Sequence, residues 1–370
     1  MLPRPYSIPI PGPTQAAFQH RDRDKAQNPG LILDRFAPDW SLDSTLKKDG
    51  LMVVAEAATH ADRRLFNAWV ERWHKSAAAV NAKPFPRISD WRLVAGLGRK
   101  GALETGFTFN RYGFPYLPGS SLKGLARMAA LTELAEKIGT QKLDDLDETL
   151  AKDEQDAFLE SFKKIDTGQQ GLDLANLFRK VFGTTAQAGC AVFVDAVPET
   201  LPTLDLDIMN PHYPDYYQGK APPTNWQSPQ PIYFLTVAAQ TTFLFAVGQR
   251  CGAPDQSALE AAKRWLSDGL QTLGIGAKTS AGYGFFSIPI KPPPPLPPGY
   301  QRGTVVSFGE GPKKSYGFIR VDDSAGDDLF VHRNNLSANL TSLERGQRVV
   351  FKRVKIPNKD DQAQDVRLDE

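Results

Sequence analysis

Gly274-Ile275-Gly276-Ala277-Lys278-Thr279-Ser280-Ala281-Gly282-Tyr283-Gly284 sets a Gly-x-Gly pair at each end of a small polar centre that holds one lysine. Glycine reaches backbone angles closed to other residues and has no side chain to hold a partner away. Such a loop can bring backbone N–H groups against a phosphate, with Lys278, Thr279 and Ser280 adding charge and hydroxyls. Upstream, Ser257 to Leu273 carries Leu259, Ala262, Trp265, Leu266 and Leu270 at helical spacing; downstream, Phe285-Phe286-Ser287-Ile288 reads as a strand. The order is therefore helix, glycine loop, strand. A P-loop needs Gly-x4-Gly-Lys-Ser/Thr between strand and helix, and here Ala277 precedes Lys278 and the flanking elements are reversed. A dinucleotide fingerprint needs a strand before its glycines. The other use of these glycines is a tight turn with a bulge.

The chain of 370 residues has room for two or three domains. Its 41% apolar and 23% charged residues are ordinary for a globular protein. A net charge of +2 gives no global basic field, so any nucleic-acid binding must come from local patches. Two cysteines, Cys190 and Cys251, exclude a disulfide scaffold and fit a reducing compartment. No apolar run approaches a membrane span, and Met1-Leu2-Pro3-Arg4-Pro5 lacks the apolar core of a signal peptide. The expected location is the cytoplasm, with no membrane partner.

Residues 1–30 read as an irregular arm, 31–290 as the main domain, 291–300 as a polyproline linker and 301–370 as a small separate domain. Ala61 to Val80 is an amphipathic packing helix. Trp91 to Leu97 reads as a strand that runs into the basic turn Gly98-Arg99-Lys100-Gly101, and Leu103 to Phe109 alternates as a half-buried strand should. Pro118-Gly119 marks a turn and Ser120 or Ser121 an N-cap, so a helix follows with Lys123 and Arg127 on one face. Free N–H groups at that helix start, beside two cations, suit a phosphate backbone; a capped helix with two solvated cations is the other reading. Residues 133–165 are acidic and read as a solvated helix or insertion. Ala191 to Ala196 reads as a short buried strand that ends in Asp195, a candidate cap, ion-pair partner or catalyst. Asp205, Asp207 and His212 sit in a polar, aromatic loop and form only a weak metal pattern, so no metal or cofactor is expected. Ile232 to Val237 and Thr242 to Val247 read as strands that could pair.

In the small domain, strand-sized pieces cover Gly303–Phe308, Ser315–Val321, Asp328–His332 and Gln347–Val354. Alternation puts Tyr316 and Phe318 on one face of their strand and Phe330 and His332 on one face of the next, while Ile319 and Val331 supply the core. Exposed rings flanked by Lys314, Arg320 and Arg333 suit single-stranded nucleic acid, with bases on the rings and cations along the backbone. Lys-x-Tyr-Gly-Phe-Ile, Asp-x-Phe-Val-His and Leu343-Glu344-Arg345-Gly346-Gln347-Arg348-Val349-Val350-Phe351 resemble the cold-shock domain, an OB-fold module for single-stranded RNA or DNA. Phe308 joins the binding set by that resemblance. The family's tryptophan ahead of Phe308 is Ser307 here, which removes one stacking platform.

The main body also looks familiar. Gly-x-Gly-Ala-Lys-Thr-Ser-Ala-Gly-Tyr-Gly resembles the glycine-rich loop of the CRISPR-associated RAMP superfamily. With Leu-Glu-Thr-Gly-Phe-Thr-Phe, Tyr-Gly-Phe-Pro-Tyr-Leu-Pro-Gly-Ser-Ser-Leu-Lys-Gly and Leu-Asp-Ile-Met-Asn-Pro-His-Tyr, it is similar to the sixth Cmr subunits of type III-B effector complexes. The resemblance implies an α+β chain: a ferredoxin-like, RRM-like RAMP domain with helical insertions, then a small all-β OB-fold barrel. It implies a non-catalytic subunit near the 3′ end of the guide CRISPR RNA, with target single-stranded RNA, the backbone RAMP subunits and the neighbouring terminal RAMP subunit as partners. Carried over by motif, the RNA-facing residues are Gly274, Gly276, Lys278, Thr279, Ser280, Gly282 and Gly284, with Lys123 and Arg127 beside them and Arg99 and Lys100 on the same surface. The competing readings are a metal-independent RNA endonuclease and a free-standing RNA-binding protein. An endonuclease wants a histidine near the loop, and His20, His60, His74, His212 and His332 all fall elsewhere in the sequence.

Overall fold

A computed structural model of the chain describes residues 28–35, 44–98, 105–210, 213, 216, 219–223, 231–250, 255–289, 296–309, 315–322, 328–337, 340–355 and 361–369. The chain divides into two compact units, residues 1–289 and 290–370. Half of the polyproline run and nearly all of the expected N-terminal arm lie outside the described residues. Among the described residues no helix is long and apolar enough to cross a membrane.

The first unit opens with helices α1 (Pro29–Arg35), α2 (Ser44–Thr59) and α3 (Arg63–Ala79). Helix α1 starts inside the stretch expected to be irregular, because Pro29 suits a first helical position and the Asn28 carboxamide oxygen accepts from the Leu31 N–H at 3.0 Å. Helix α3 matches its sequence pattern and is capped by Asp62, which accepts from the N–H groups of Arg64 and Leu65. Then follow β1 (Phe85–Ser89), α4 (Gly119–Ile138), α5 (Leu143–Leu150), α6 (Gln155–Phe162), α7 (Gln169–Phe182) and β2 (Ala191–Pro198). Strands β3 (Leu204–Met209), β4 (Ile232–Val237) and β5 (Thr242–Gln249), helix α8 (Gln256–Thr272) and strand β6 (Phe286–Ser287) complete the unit.

Strands β2, β5, β1 and β6 form one antiparallel sheet in that order. With α4 crossing from β1 to β2 and α8 from β5 to β6, this is the β-α-β-β-α-β ferredoxin-like arrangement. One face of the sheet carries α4, α7 and α8, whose Leu122, Ala126, Phe178, Trp265 and Leu270 pack on Phe85, Phe193, Phe245 and Phe286. The other face takes α3, through Trp73 and Ala77 against Val197, Leu244 and Ala246. Short helices α5 and α6 overturn the reading of a solvated acidic insertion. Leu146, Leu150, Phe158 and Phe162 are buried in the main core, and the carboxylates ring the outside.

The strands correct the sequence reading at four further places. Strands β4 and β5 do not pair with each other: β4 pairs with β3 as a separate two-stranded sheet, and β5 pairs with β1 and β2. Ser89 takes the corner between them, with its N–H on Thr241 O and its carbonyl accepting from Gln240 N. Residues 204–209 are accordingly strand rather than loop. The segment read as a strand over Trp91–Leu97 makes one isolated bridge, Leu93 to Val237, because its backbone is shared between β4 and the glycine loop. The stretch before Phe109 is likewise no regular strand: Gly106 N donates to Leu97 O and Thr108 N to Ala95 O, and Thr105, Gly106 and Phe107 are buried in a row.

The second unit is a closed barrel of β7 (Tyr300–Phe308), β8 (Tyr316–Val321), β9 (Asp328–His332), β10 (Arg348–Val354) and β11 (Gln362–Leu368). Val305, Ile319, Leu329, Val331, Val349 and Phe351 fill it. Strand β11 closes the barrel by parallel pairing with β9. The sequence reading supplies four strands and misses this fifth, whose run Gln362-Ala363-Gln364-Asp365-Val366-Arg367-Leu368 has little apolar alternation.

Candidate nucleic-acid interface

The glycine loop spans the gap between the end of α8 and β6. It is laced to the segment after β1: Ala277 N donates to Val94 O at 2.8 Å and Gly284 N to Arg92 O at 3.0 Å. Ile275 N closes it on Gly284 O at 2.9 Å. Two glycines are needed for close approach. A Cβ on Gly284 would lie 1.9 Å from Ile275 O, and one on Gly276 2.2 Å from Val94 O. Between them Thr279–Ala281 makes one 3-10 turn, preceded by Lys278 in the left-handed region at φ 61°. Among the described residues, the backbone N–H groups of Gly276, Lys278, Thr279 and Ser280 meet no acceptor. Successive N–H groups around a left-handed residue make an anion-binding concavity. The Lys278 ammonium does not reach straight into solvent. It lies 5.4 Å above the Phe234 ring and 4.0 Å from Met209 Sδ.

A half-buried polar network fixes the outgoing arm of the loop. Tyr283 Oη donates to Asp207 Oδ2 at 2.7 Å, and Arg92 Nη1 meets the same oxygen at 2.6 Å. Burial alone would raise the Asp207 carboxyl; the hydrogen bonds from Tyr283 and Arg92 outweigh it, and the net shift is downward. Burial, then the Asp207 carboxylate, push the Tyr283 phenol up to about 12. Asp205 lies 3.8 Å from Arg92 Nε, so the two aspartates weighed as metal ligands face a guanidinium. His212, the third member of that pattern, lies outside the described residues.

Helix α4 starts differently from its sequence reading. Neither Ser120 nor Ser121 caps it. Gly119 N donates to Asp195 Oδ1 at 2.7 Å, so a carboxylate from β2 occupies the helix start. That identifies Asp195 as a cap and takes up one of the N–H groups expected to face phosphate. Burial, with Arg250 and Arg127 nearby, holds the Lys123 ammonium below its ordinary range. Arg127 pairs with Asp147 of α5 at 2.6 Å and lies 5.2 Å above the Phe178 ring. Arg99 and Lys100 lie outside the described residues.

On the barrel, Tyr316, Phe318 and Phe330 form one half-exposed cluster, with ring centroids 5.4 Å apart for Tyr316–Phe330 and 6.1 Å for Phe318–Phe330. Ser307 pairs with Phe318 in register, so the missing indole leaves a small hydroxyl beside the platform. Phe308 is corrected: it is buried in the barrel core, against Gly317, not on the aromatic face. Arg320 holds Asp328 through two bonds, of 2.9 and 3.2 Å. The His332 ring accepts from Asn334 N at 3.2 Å and caps the turn that presents the exposed Arg333. Lys314 lies outside the described residues. Two residues escaped the sequence reading, Asp207 as the anchor of Tyr283 and Trp91 as an exposed ring next to the loop. The signal for the first was Tyr283 between two loop glycines, which needs a partner for its hydroxyl.

Residues 93–287 match the RAMP superfamily and residues 301–368 the "cold-shock" DNA-binding domain. Over 224 residues the chain is 38% identical to the CRISPR system Cmr subunit Cmr6 of Pyrococcus furiosus, covering 52% of this chain and 64% of that protein. The alignment thus spans less than two thirds of the relative's length. Among solved structures, the crystal structure of Cmr6 from Pyrococcus furiosus matches at 31% identity, over 56% of this chain and 98% of that one, with a TM-score of 0.34. A type III-B Cmr-beta complex bound to cognate target RNA, solved by cryo-EM, matches at 17% identity over 66% of this chain and 72% of that one, with a TM-score of 0.44. Matched over more than half of its length, the chain belongs to the RAMP superfamily and carries a cold-shock domain behind its RAMP domain.

Proposed function

We propose that the chain is a non-catalytic RNA-binding subunit of a cytoplasmic type III-B Cmr interference complex. Its glycine loop holds the backbone of the guide RNA near the 3′ end, and its barrel takes single-stranded RNA, guide overhang or target. The observation that carries this reading is the run of unpaired N–H groups around left-handed Lys278, next to an ammonium. Such a run neutralises phosphate charge without reading sequence, as a guide-holding subunit must. The 38% identity to a Cmr subunit supports the other Cmr subunits as partners, the backbone RAMP subunits and the neighbouring terminal one first.

The histidines of the described residues support a non-catalytic role. His60 is tied to Thr59 and Glu56 O, His74 packs edge-on against Trp73, and His332 caps a turn. Among the described residues, neither His60 nor His74, the two in the loop's own unit, is paired with a carboxylate that would activate it.

The test is crosslinking with mass spectrometry and RNA sequencing on the protein purified from its host. Crosslinks from Lys278 to the 3′ part of guide RNAs, with Cmr subunits co-purifying, are expected. Crosslinks confined to Tyr316, Phe318 and Phe330 on assorted transcripts, with no guide and no partners, would replace this reading with a free-standing RNA-binding protein.

A further inference from the structure

Trp91 sits on the segment that the glycine loop is laced to. Asp90 N donates to Phe285 O on one side of it and Arg92 O accepts from Gly284 N on the other, both at 3.0 Å. The Trp91 backbone is therefore pinned against the exit of the loop. Its side chain remains 51% exposed. The other large aromatics of this unit that carry the fold, such as Trp73 and Trp265, are buried and give their indole N–H to a partner. The Trp91 indole N–H meets no acceptor among the described residues. The guanidinium of Arg92 lies 5.6 Å from the Trp91 ring and is itself anchored by Asp207.

An exposed indole gains nothing for the fold by standing in water. It does present a flat face, with a fixed cation beside it, on the segment bonded to the outgoing arm of the loop whose centre carries the unpaired N–H groups. That pairing of a phosphate cradle with an aromatic face is what single-stranded nucleic acid uses, because every base has a π face. A protein partner would look for a broader apolar patch. Two other large apolar side chains in this region are exposed, Ile288 just past β6 at 62% and Ile208 on β3 at 41%.

We infer that Trp91 is a base-stacking platform: it holds one nucleobase of the RNA strand whose backbone rests on the glycine loop. This rests on the loop's being an RNA site, as proposed above. Arg92 acts as a positioning residue, steadying the ring from the Asp207 network, and the stacked base can be of any kind.

The test uses the full chain and a single-stranded RNA carrying 4-thiouridine, irradiated and mapped by mass spectrometry, with Trp91→Ala, Trp91→Phe and Trp91→Leu alongside. Expected are adducts on the Trp91 peptide as well as on Lys278–Ser280. At sub-saturating RNA, loop adducts should fall about tenfold in the Ala and Leu variants and be kept in the Phe variant, the loss of one stacked base. Loop adducts unchanged in Trp91→Ala, with none on the Trp91 peptide, overturn the platform and leave the loop's role standing. Adducts on the barrel alone overturn both. A Trp91→Leu chain that matches the unsubstituted one also overturns it, since greasy contact without stacking would then suffice.

Discussion

At the scale of single residues, the glycine loop separates two reasons for having glycine. Gly284 and Gly282 share left-handed backbone, at φ 74° and 89°. Only Gly284 is also crowded, with Ile275 O 1.9 Å from where a Cβ would stand, while Gly282 faces open space. Gly282→Ala should therefore cost about 1 kcal/mol, the price of a left-handed alanine. Gly284→Ala should cost about 3 kcal/mol or more, because backbone must move as well. Denaturant titration of the full chain reads both, with the barrel transition as an internal reference; equal costs would mean the loop relaxes freely. Tyr283 offers a second check. Its phenol is pushed up to about 12 by burial and by Asp207. A raised pKa means that its contribution to stability is intact below the unfolded value, about 10, and is lost as pH rises from there through about 12. The ultraviolet difference between the unsubstituted chain and Tyr283→Phe should show one phenol that ionises late; an ordinary titration would put the Asp207 bond in error.

At the scale of elements, what can be read from sequence tracks how local the cause is. Helices α3 and α8 show their apolar stripe over 17 residues each, and the loop after α8 announces itself by glycine spacing. Strand β1 hides because Pro86 looks like a strand breaker; the structure tolerates it where β5 is the only paired neighbour among the described residues, since β6 pairs just with Ile88 and Ser89. Strand β6 is two residues long, too short for any pattern. Helices α5 and α6 show acid first, and their two buried apolar side chains apiece become core only once α4 and α7 are in place. The start of α4 is the clearest case. Its cap, Asp195, lies 76 residues away in sequence, so Ser120 and Ser121 draw the eye and do nothing. Asp195→Ala should cost about 1 kcal/mol, as loss of an N-cap does, whereas Ser120→Ala should be near neutral. Thermal denaturation decides between them, and the opposite ranking would return the cap to the serine. In the site itself, the loop residues are legible because their types are unusual together, while Trp91 and Asp207 gain meaning only from the backbone bonds that tie the segment after β1 to β4 and the loop, and from the side chains of Arg92 and Tyr283 that meet on Asp207.

At the scale of the whole molecule, the two proposed RNA sites make a prediction that neither makes alone. The barrel offers three rings, Tyr316, Phe318 and Phe330, and the first unit offers the N–H groups of the loop with Lys278. A tether such as the run Pro292 to Gly299 turns the second binding event into an intramolecular one, so affinities multiply for an RNA long enough to reach both sites and not for a short one. Phe318→Ala with Phe330→Ala should weaken binding of a short oligonucleotide by the full chain by about 2–6 kcal/mol, two stacked bases' worth, whether or not the loop is intact. For a long strand the same pair of substitutions should be partly masked by the loop, and adding Lys278→Ala should then expose the remainder. Fluorescence anisotropy with short and long RNA on the four combinations measures this directly. If Lys278→Ala lowers affinity equally for both lengths, the two sites do not share one strand, and the barrel and the loop serve different RNAs.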